Sequence, residues 1–505
     1  MIDAKTGRRQ EAGGRFWFPR SACIPCSKHY NYVCRLCLIV HGASGGGILS
    51  GSPEEAETRP DVRRLLSERG LPDHAAAAKA ALLARCEAAL FEAGVPRSAR
   101  VHALVVPGRI EVLGKHTDYA GGRSLLAATE RGFCLAIAPR NDRAVRMIDV
   151  AWHQQTEFEI HPDLDPGPGW SNYAMTAARR IARNFPGTLC GADIAFGSDL
   201  PADSGLSSSS ALLTATFLAL ARCNRLTERP EYRRHIPDNE HLGEYLGTCE
   251  NGQSFGALAG DKGVGTFGGS EDHIAILCCR PRTLSACSFS PVRMEQLLPM
   301  PAGMVFAVAF SGITAAKTGA AMGKFNRASR LASTVADQWR KATGRSDPHM
   351  GAALAAFPDS EARLRSALSG ARTPDFSGAD LLRRAEQFIA ENQQIIPAAA
   401  RALAAGDLES FGRQVDRSQQ LAESHLENQV PETIFLARSA RSLGAAAASA
   451  FGAGFGGSVW AMVREDRAEQ FAHEWTELYR REFPPAAGMA VFFLTGAAPG
   501  ACFLY

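Results

Sequence analysis

Apolar and polar positions along this chain fall into two alternating rhythms. Residues 74–94 repeat Ala, Leu and Glu at helical spacing and close on Gly94, the pattern of a helix with a glycine C-cap. Residues 101–106 then form a short apolar run with the β-branched content of a buried strand, bounded by Pro107 and Gly108. Such segments alternate to about Pro299. Residues 303–310 predict a further strand. Residues 315–341 and 380–406 predict long helices, separated by a polar stretch carrying Pro348, Pro358 and Pro374. The pattern predicts two lobes, 56–299 and 300–505, behind an extension of different character, 1–55. No internal repeat is visible.

Composition narrows the function classes. At roughly 150 residues per domain, 505 residues suggest about three domains. A hydrophobic share of 46% against 21% charged describes a globular chain and excludes a mostly disordered or collagen-like one. Fifty-five Lys plus Arg against 52 Asp plus Glu leave +3, too small an excess to point to nucleic acid or a membrane surface as partner. No run approaches the roughly 20 apolar residues of a membrane span. The N-terminal Arg8, Arg9, Arg15 and Arg20 precede no apolar stretch long enough for a secretory signal. Most of the 13 cysteines are scattered singly, which reads as reduced thiols. A cytoplasmic protein is expected, a monomer or weak homo-oligomer with small-molecule partners and neither nucleic acid nor membrane among them. The extension carries two CxxC pairs, Cys23 with Cys26 and Cys34 with Cys37, whose thiolates can in principle close a zinc site. The seven residues between the pairs are few for a zinc ribbon, and we read the segment as a poorly ordered extension with the Gly-rich run 42–47 as a linker behind it.

Three segments carry the chemistry. The first in importance is 201–211, where Gly205, Leu206, Ser207, Ser208, Ser209, Ser210 and Ala211 lead into an apolar run, 212–221, that predicts a helix. A helix start offers unpaired N–H groups and a favourable dipole, and four hydroxyls add donors for phosphate oxygens or a metal. A Ser-rich cap alone would explain one Ser well and four poorly. It is not a Walker sequence, since the Lys is absent. A second segment holds Gly452, Gly454, Gly456 and Gly457 ahead of a predicted strand, 458–463; small residues there permit close approach to a ligand or simply a tight turn. The third runs from Pro107 through Arg109, Glu111, Gly114, Lys115, His116, Thr117 and Asp118 to Tyr119. So many charged and hydrogen-bonding groups after a strand are costly to bury without a partner, and they are expected to line a cleft for a polar ligand.

In this order the three segments resemble the motifs of the GHMP kinases, and the third resembles the galactokinase signature, of which Arg109, Gly114, His116, Thr117, Asp118 and Tyr119 are kept. The resemblance covers about 86–463. It implies an α+β fold of two lobes, mixed β-sheets packed with helices, and an active site in the cleft between them. It also implies an ATP-dependent sugar kinase acting at the C1 hydroxyl of galactose or a related aldose or uronic acid, with Mg²⁺. Gly269-Ser270-Glu271-Asp272-His273 is similar to the family's Gly-x-x-Asp-Gln segment, so the resemblance makes Asp272 the base and Arg109 its partner. A guanidinium beside a carboxylate favours its ionised form and stabilises charge on the attacked oxygen. Arg109, Lys115, His116, Asp118, Gly269, Asp272 and Phe325 would face the sugar. Ser208 or Ser209, with Glu250, would hold the metal, Asp261 being a rival to Glu250.

The departures concern the substrate. Lys115 stands where the family has a Glu, Phe325 where it has a sugar-contacting Tyr, Glu111 where it has an Asn, and Asp203 where it usually has a Gly. Lys115 in the pocket would favour an acidic group such as a C6 carboxylate; otherwise it points to solvent or pairs with Glu111. A catalytically silent sugar-binding protein of the same fold is the alternative reading.

Overall fold

The computed structural model describes residues 61–314 and 320–505, without the side chains at 320–322, 324 and 325. The two CxxC pairs and the rest of the extension lie outside the described residues.

Twelve described strands follow in chain order: β1 (His102–Leu113), β2 (Arg123–Pro139), β3 (Ala144–Asp149), β4 (Gln154–Glu159), β5 (Ala192–Ser198), β6 (Thr283–Ser288), β7 (Arg293–Pro299), β8 (Met304–Phe310), β9 (Ala447–Ala450), β10 (Ser458–Arg464), β11 (Val491–Thr495) and β12 (Cys502–Phe503). They build a mixed sheet in the order β12-β1-β2-β5-β3-β4, extended from β2 through β6 to β7, and a second sheet in the order β11-β8-β10-β9. Of the described pairings, only β3 with β5 is parallel. The last strand of the chain therefore returns to the first sheet, beside β1.

Strand β1 is buried along its whole length, and it continues through Pro107 and Gly108 where a stop was expected. It does so by bulging. Its register against β2 shifts between Pro107 and Arg109 and again between Glu111 and Leu113. A bulge tolerates the missing N–H of a proline and re-aims neighbouring side chains. Arg109 and Glu111, two residues apart, fall between the two shifts.

Alternation explains the second sheet. Phe306, Val308, Trp460 and Met462 join the main core, while Ala307, Ala309, Val459 and Ala461 pack against Trp475 and Tyr479 on the other face. Helices Ser171–Asn184 and Ser208–Cys223 cover the inner face of the first sheet. The expected helix at 74–94 is found as Asp73–Glu92 and packs through Cys86 and Leu90 on Ala136, Ala138 and Ala195. The proline-bearing stretch after residue 343, read as polar connection, forms helices Met350–Ala355 and Ser360–Ser369. Their Met350, Leu364 and Leu368 enclose Trp339 and Phe388 beside Ala120. No helix among the described residues is long and apolar enough to cross a membrane. The nine described cysteines are free thiols.

Candidate active site

The charged residues of β1 meet partners from far along the chain. Arg109 is 3% exposed; its Nε donates to Asp272 Oδ1 at 2.7 Å and its Nη1 to the carbonyl of Gly205 at 2.5 Å. One guanidinium thus ties the proposed base to the serine-rich loop. Burial works against the Arg109 charge, but the carboxylates of Asp272, Glu111 and Glu271 outweigh it and hold its pKa above the usual arginine value.

Asp272 opens the helix Glu271–Cys278, where N–H groups without intrahelical partners and the helix dipole favour a carboxylate. Asp118 Oδ2 accepts from the N–H of Glu271 at 3.2 Å. Gly269 leaves room for this: a Cβ there would fall 2.3 Å from Asp118 Oδ2.

On helix Ser208–Cys223, Ser210 and Thr214 share one face, as residues four apart do. Ser210 Oγ donates to Glu250 Oε2 at 2.8 Å and lies 3.2 Å from Asp272 Oδ2. Thr214 Oγ1 lies 3.0 Å from His273 Nδ1, and His273 Nε2 is 3.1 Å from Glu250 Oε2. Glu250 sits in the last turn of helix Asn239–Asn251, which begins on an Asp238 cap and ends at Gly252 in the left-handed region. It is Ser210 that reaches Glu250, where Ser208 or Ser209 was expected, because Ser210 is the serine of the first turn that faces inward while the other two are partly exposed. His273 was not foreseen as a partner of Glu250; the only signal was a His in place of the family's Gln. Ser207 caps the helix at φ 61°, and its buried Oγ has no hydrogen-bond partner.

The glycine-rich segment buttresses these parts. A Cβ on Gly205 would lie 3.7 Å from Gly457 Cα, Ser458 Oγ donates to the carbonyl of Ser204 at 2.7 Å, and the Gly452 N–H donates to Glu111 Oε2 at 3.3 Å. Gly452, Gly454, Gly456 and Gly457 all take positive φ. His116 Nε2 faces the Ala453 carbonyl at 3.2 Å; a carbonyl only accepts, so Nε2 carries the proton and Nδ1 accepts from Tyr119 OH at 2.7 Å.

A cavity is lined by Arg109, Glu111, His116, Asp118, Tyr119, Glu250, Gly269, Glu271 and Asp272, among others. Lys115 is not among the lining residues. It is 1% exposed, and its Nζ donates to Ser449 Oγ at 2.8 Å and Ser418 Oγ at 3.1 Å. Ser418 in turn donates to the fully buried Glu391, which also accepts the Gly114 N–H. Glu391 occupies a wide π turn, Ala390–Ile395, between two α-helices. Both sequence readings of Lys115 as solvent-facing or as a pocket cation are therefore corrected: the Ser418 and Ser449 hydroxyls, with the buried Glu391 behind Ser418, hold the ammonium inward. Replacing Lys115 with Met should lower unfolding free energy by about 1–3 kcal/mol, since it leaves the buried Ser418 and Ser449 hydroxyls without their ammonium donor and removes the positive charge behind Glu391. Denaturant titration should show that loss.

Asp261, the rival metal ligand, is held elsewhere, with Arg179 Nε at 2.6 Å and Arg180 Nη1 at 3.6 Å. Asp203 is exposed, clear of the cavity lining. The side chain of Phe325 lies outside the described residues.

Comparison with known proteins bears on this arrangement. The description "Galactokinase galactose-binding signature" matches residues 89–139, "GHMP kinases N terminal domain" residues 172–244 and "GHMP kinases C terminal" residues 399–481. The galactokinase of Roseiflexus sp. (strain RS-1) is 30% identical over 386 residues, covering 75% of this chain and 88% of that protein. That of Chloroflexus aggregans is 28% identical over 377 residues, covering 72% and 84%. The solved structure of Lactococcus lactis galactokinase complexed with galactose superposes with a TM-score of 0.69 at 21% identity, covering 84% of this chain and 99% of that one, a likeness of fold.

Proposed function

Because the chain belongs to the galactokinase family of GHMP kinases and is a sugar kinase, we propose that it transfers the γ-phosphate of ATP to the C1 hydroxyl of an aldose of the galactose type. The observation that carries this reading is the junction at Asp272: one carboxylate oxygen on Arg109, the other beside Ser210, at the edge of a cavity bounded by His116, Asp118 and Gly269. Asp272 takes the proton of the attacking hydroxyl. Arg109 orients that carboxylate and compensates negative charge as it develops on the oxygen.

The serine loop supports a phosphate site through a specific vacancy in its hydrogen bonding. Ser207 Oγ is buried with no partner at the start of a helix of 16 residues, where backbone N–H groups also await acceptors. The residues fit Mg²⁺ as well. Glu250 and Ser210 are adjoining hard oxygen donors, and among the described residues no group of three His, Cys, Asp or Glu could cage a metal unaided. A cation that shares its coordination with substrate phosphates and water needs no such cage. When bound, Mg²⁺ supplies charge neutralisation at the phosphate oxygens; His273, fixed by Thr214, holds the Glu250 carboxylate in place for it.

The experiment is a coupled assay of ADP release by the purified chain with Mg²⁺-ATP and a panel of aldoses. Turnover with galactose or a close relative is the expected result. Sugar binding without ADP release from any member would select the silent binding protein instead.

A further inference from the structure

Two carboxylates of the cavity wall take no part in the mechanism above. Glu111 and Glu271 are 4% and 5% exposed, yet both line the cavity. Glu271 Oε2 accepts from Ser124 Oγ at 2.7 Å and Glu111 Oε2 from the Gly452 N–H. The two carboxyl groups line the same cavity and repel each other, and Glu111 Oε1, fully buried, accepts no hydrogen bond from a backbone or side-chain N–H. Two such groups ionise together only if a cation joins them, and without one they share a proton. Burial raises both, Glu111 to about 7, with Lys115 and Arg109 pulling Glu111 back and each carboxylate's neighbours pushing Glu271 further up. The chain puts this Glu where the family's pattern has an amide. Around the cavity, Glu111, Asp118, Glu250, Glu271 and Asp272 face Arg109 as the one permanent cation, because Lys115 is drawn away.

We propose that the Glu111 and Glu271 pair determines sugar specificity by receiving a protonated amine of the acceptor, so that an amino sugar is preferred to its neutral parent and a uronic acid is rejected. The inference rests on reading the cavity as the sugar pocket. An ammonium brings donors for the orphaned Glu111 oxygen and replaces the shared proton as counter-charge, releasing that proton to solvent. A neutral hydroxyl brings a donor but no charge, so the pair keeps its proton. A sugar carboxylate adds a further anion to an acidic wall and no donor.

Steady-state kinetics of the full chain with Mg²⁺-ATP would compare galactose, its 2-amino and 6-amino derivatives and galacturonate at about pH 6, where the amines are protonated. One amino derivative should exceed galactose in kcat/KM by about tenfold or more, and galacturonate should show no turnover. Glu111→Gln and Glu271→Gln should each reduce the ratio of amino sugar to galactose by about tenfold. Calorimetry of the sugars alone, in buffers of different ionisation heat, should show a proton released with the amino sugar and none with galactose. Galactose turnover with no preference for either amino sugar, or a ratio untouched by both substitutions, would overturn this inference and leave the kinase reading standing. Preferential amino-sugar binding with proton release but no ADP from any sugar would support it while overturning the kinase reading. Failure to bind any of the sugars would overturn it outright.

Discussion

Asp272→Asn should reduce the rate of phosphate transfer by about a thousandfold, within the range a positioned general base supplies, while sugar affinity changes little. The substitution keeps the shape of the side chain and an oxygen that accepts from Arg109 Nε, so the tie between β1 and the helix Glu271–Cys278 survives. What disappears is an oxygen basic enough to take a proton from a sugar hydroxyl. The loss should therefore fall on kcat, with KM for sugar nearly constant, and equilibrium dialysis should still find sugar bound. Turnover within about tenfold of the unaltered chain would show that Asp272 only anchors Arg109. In that case the measurable consequence would be a lower unfolding free energy and a normal pH profile.

Asp261→Asn tests the assignment of the acidic metal ligand from the opposite side. Arg179 and Arg180 are 2% and 0% exposed at the side chain and Asp261 is 1% exposed, so all three charges are buried in one cluster. Arg179 also donates to the carbonyls of Leu164 and Gly263, which ties the long loop after Glu250 to helix Ser171–Asn184. Neutralising the one carboxylate leaves two buried guanidiniums facing each other, a change of the kind that costs about 3–5 kcal/mol. A urea titration should show the midpoint falling at constant slope. The Mg²⁺ concentration required for half-maximal turnover should not move, whereas Glu250→Gln should raise it. A shifted Mg²⁺ requirement with unchanged stability in Asp261→Asn would give the metal to Asp261 and withdraw it from Glu250.

Much of the site was legible in the sequence because its motifs are local. The four serines before an apolar run marked a helix start, the glycines at 452–457 marked a close approach or tight turn, and the Gly-x-x-Asp segment marked Asp272; the structure adds that the glycines take positive φ and that Asp272 lies in a first helical turn. Arg109 and Glu111 could be seen on one strand, but not the bulges that bracket them, since Pro107 and Gly108 read as a stop and the partner strand that accommodates them is not adjacent in sequence. Lys115 shows the limit most clearly. Its direction is set by Ser418 and Ser449, 303 and 334 residues further on, and by the buried Glu391 behind Ser418.

The sequence alone thus determined many of the segments that become helix and strand, the serine-rich helix start among them, and the kinds of acid, base and donor available, because periodicity, capping and turn chemistry act between residues a few positions apart. Only the tertiary structure decided that Ser210 and not its neighbours meets Glu250, that Asp272 rests on Arg109, and that the pocket is acidic with Lys115 withdrawn from it. Those outcomes depend on burial and on charges brought together from distant parts of the chain, where a shift of a few ångströms exchanges one partner for another.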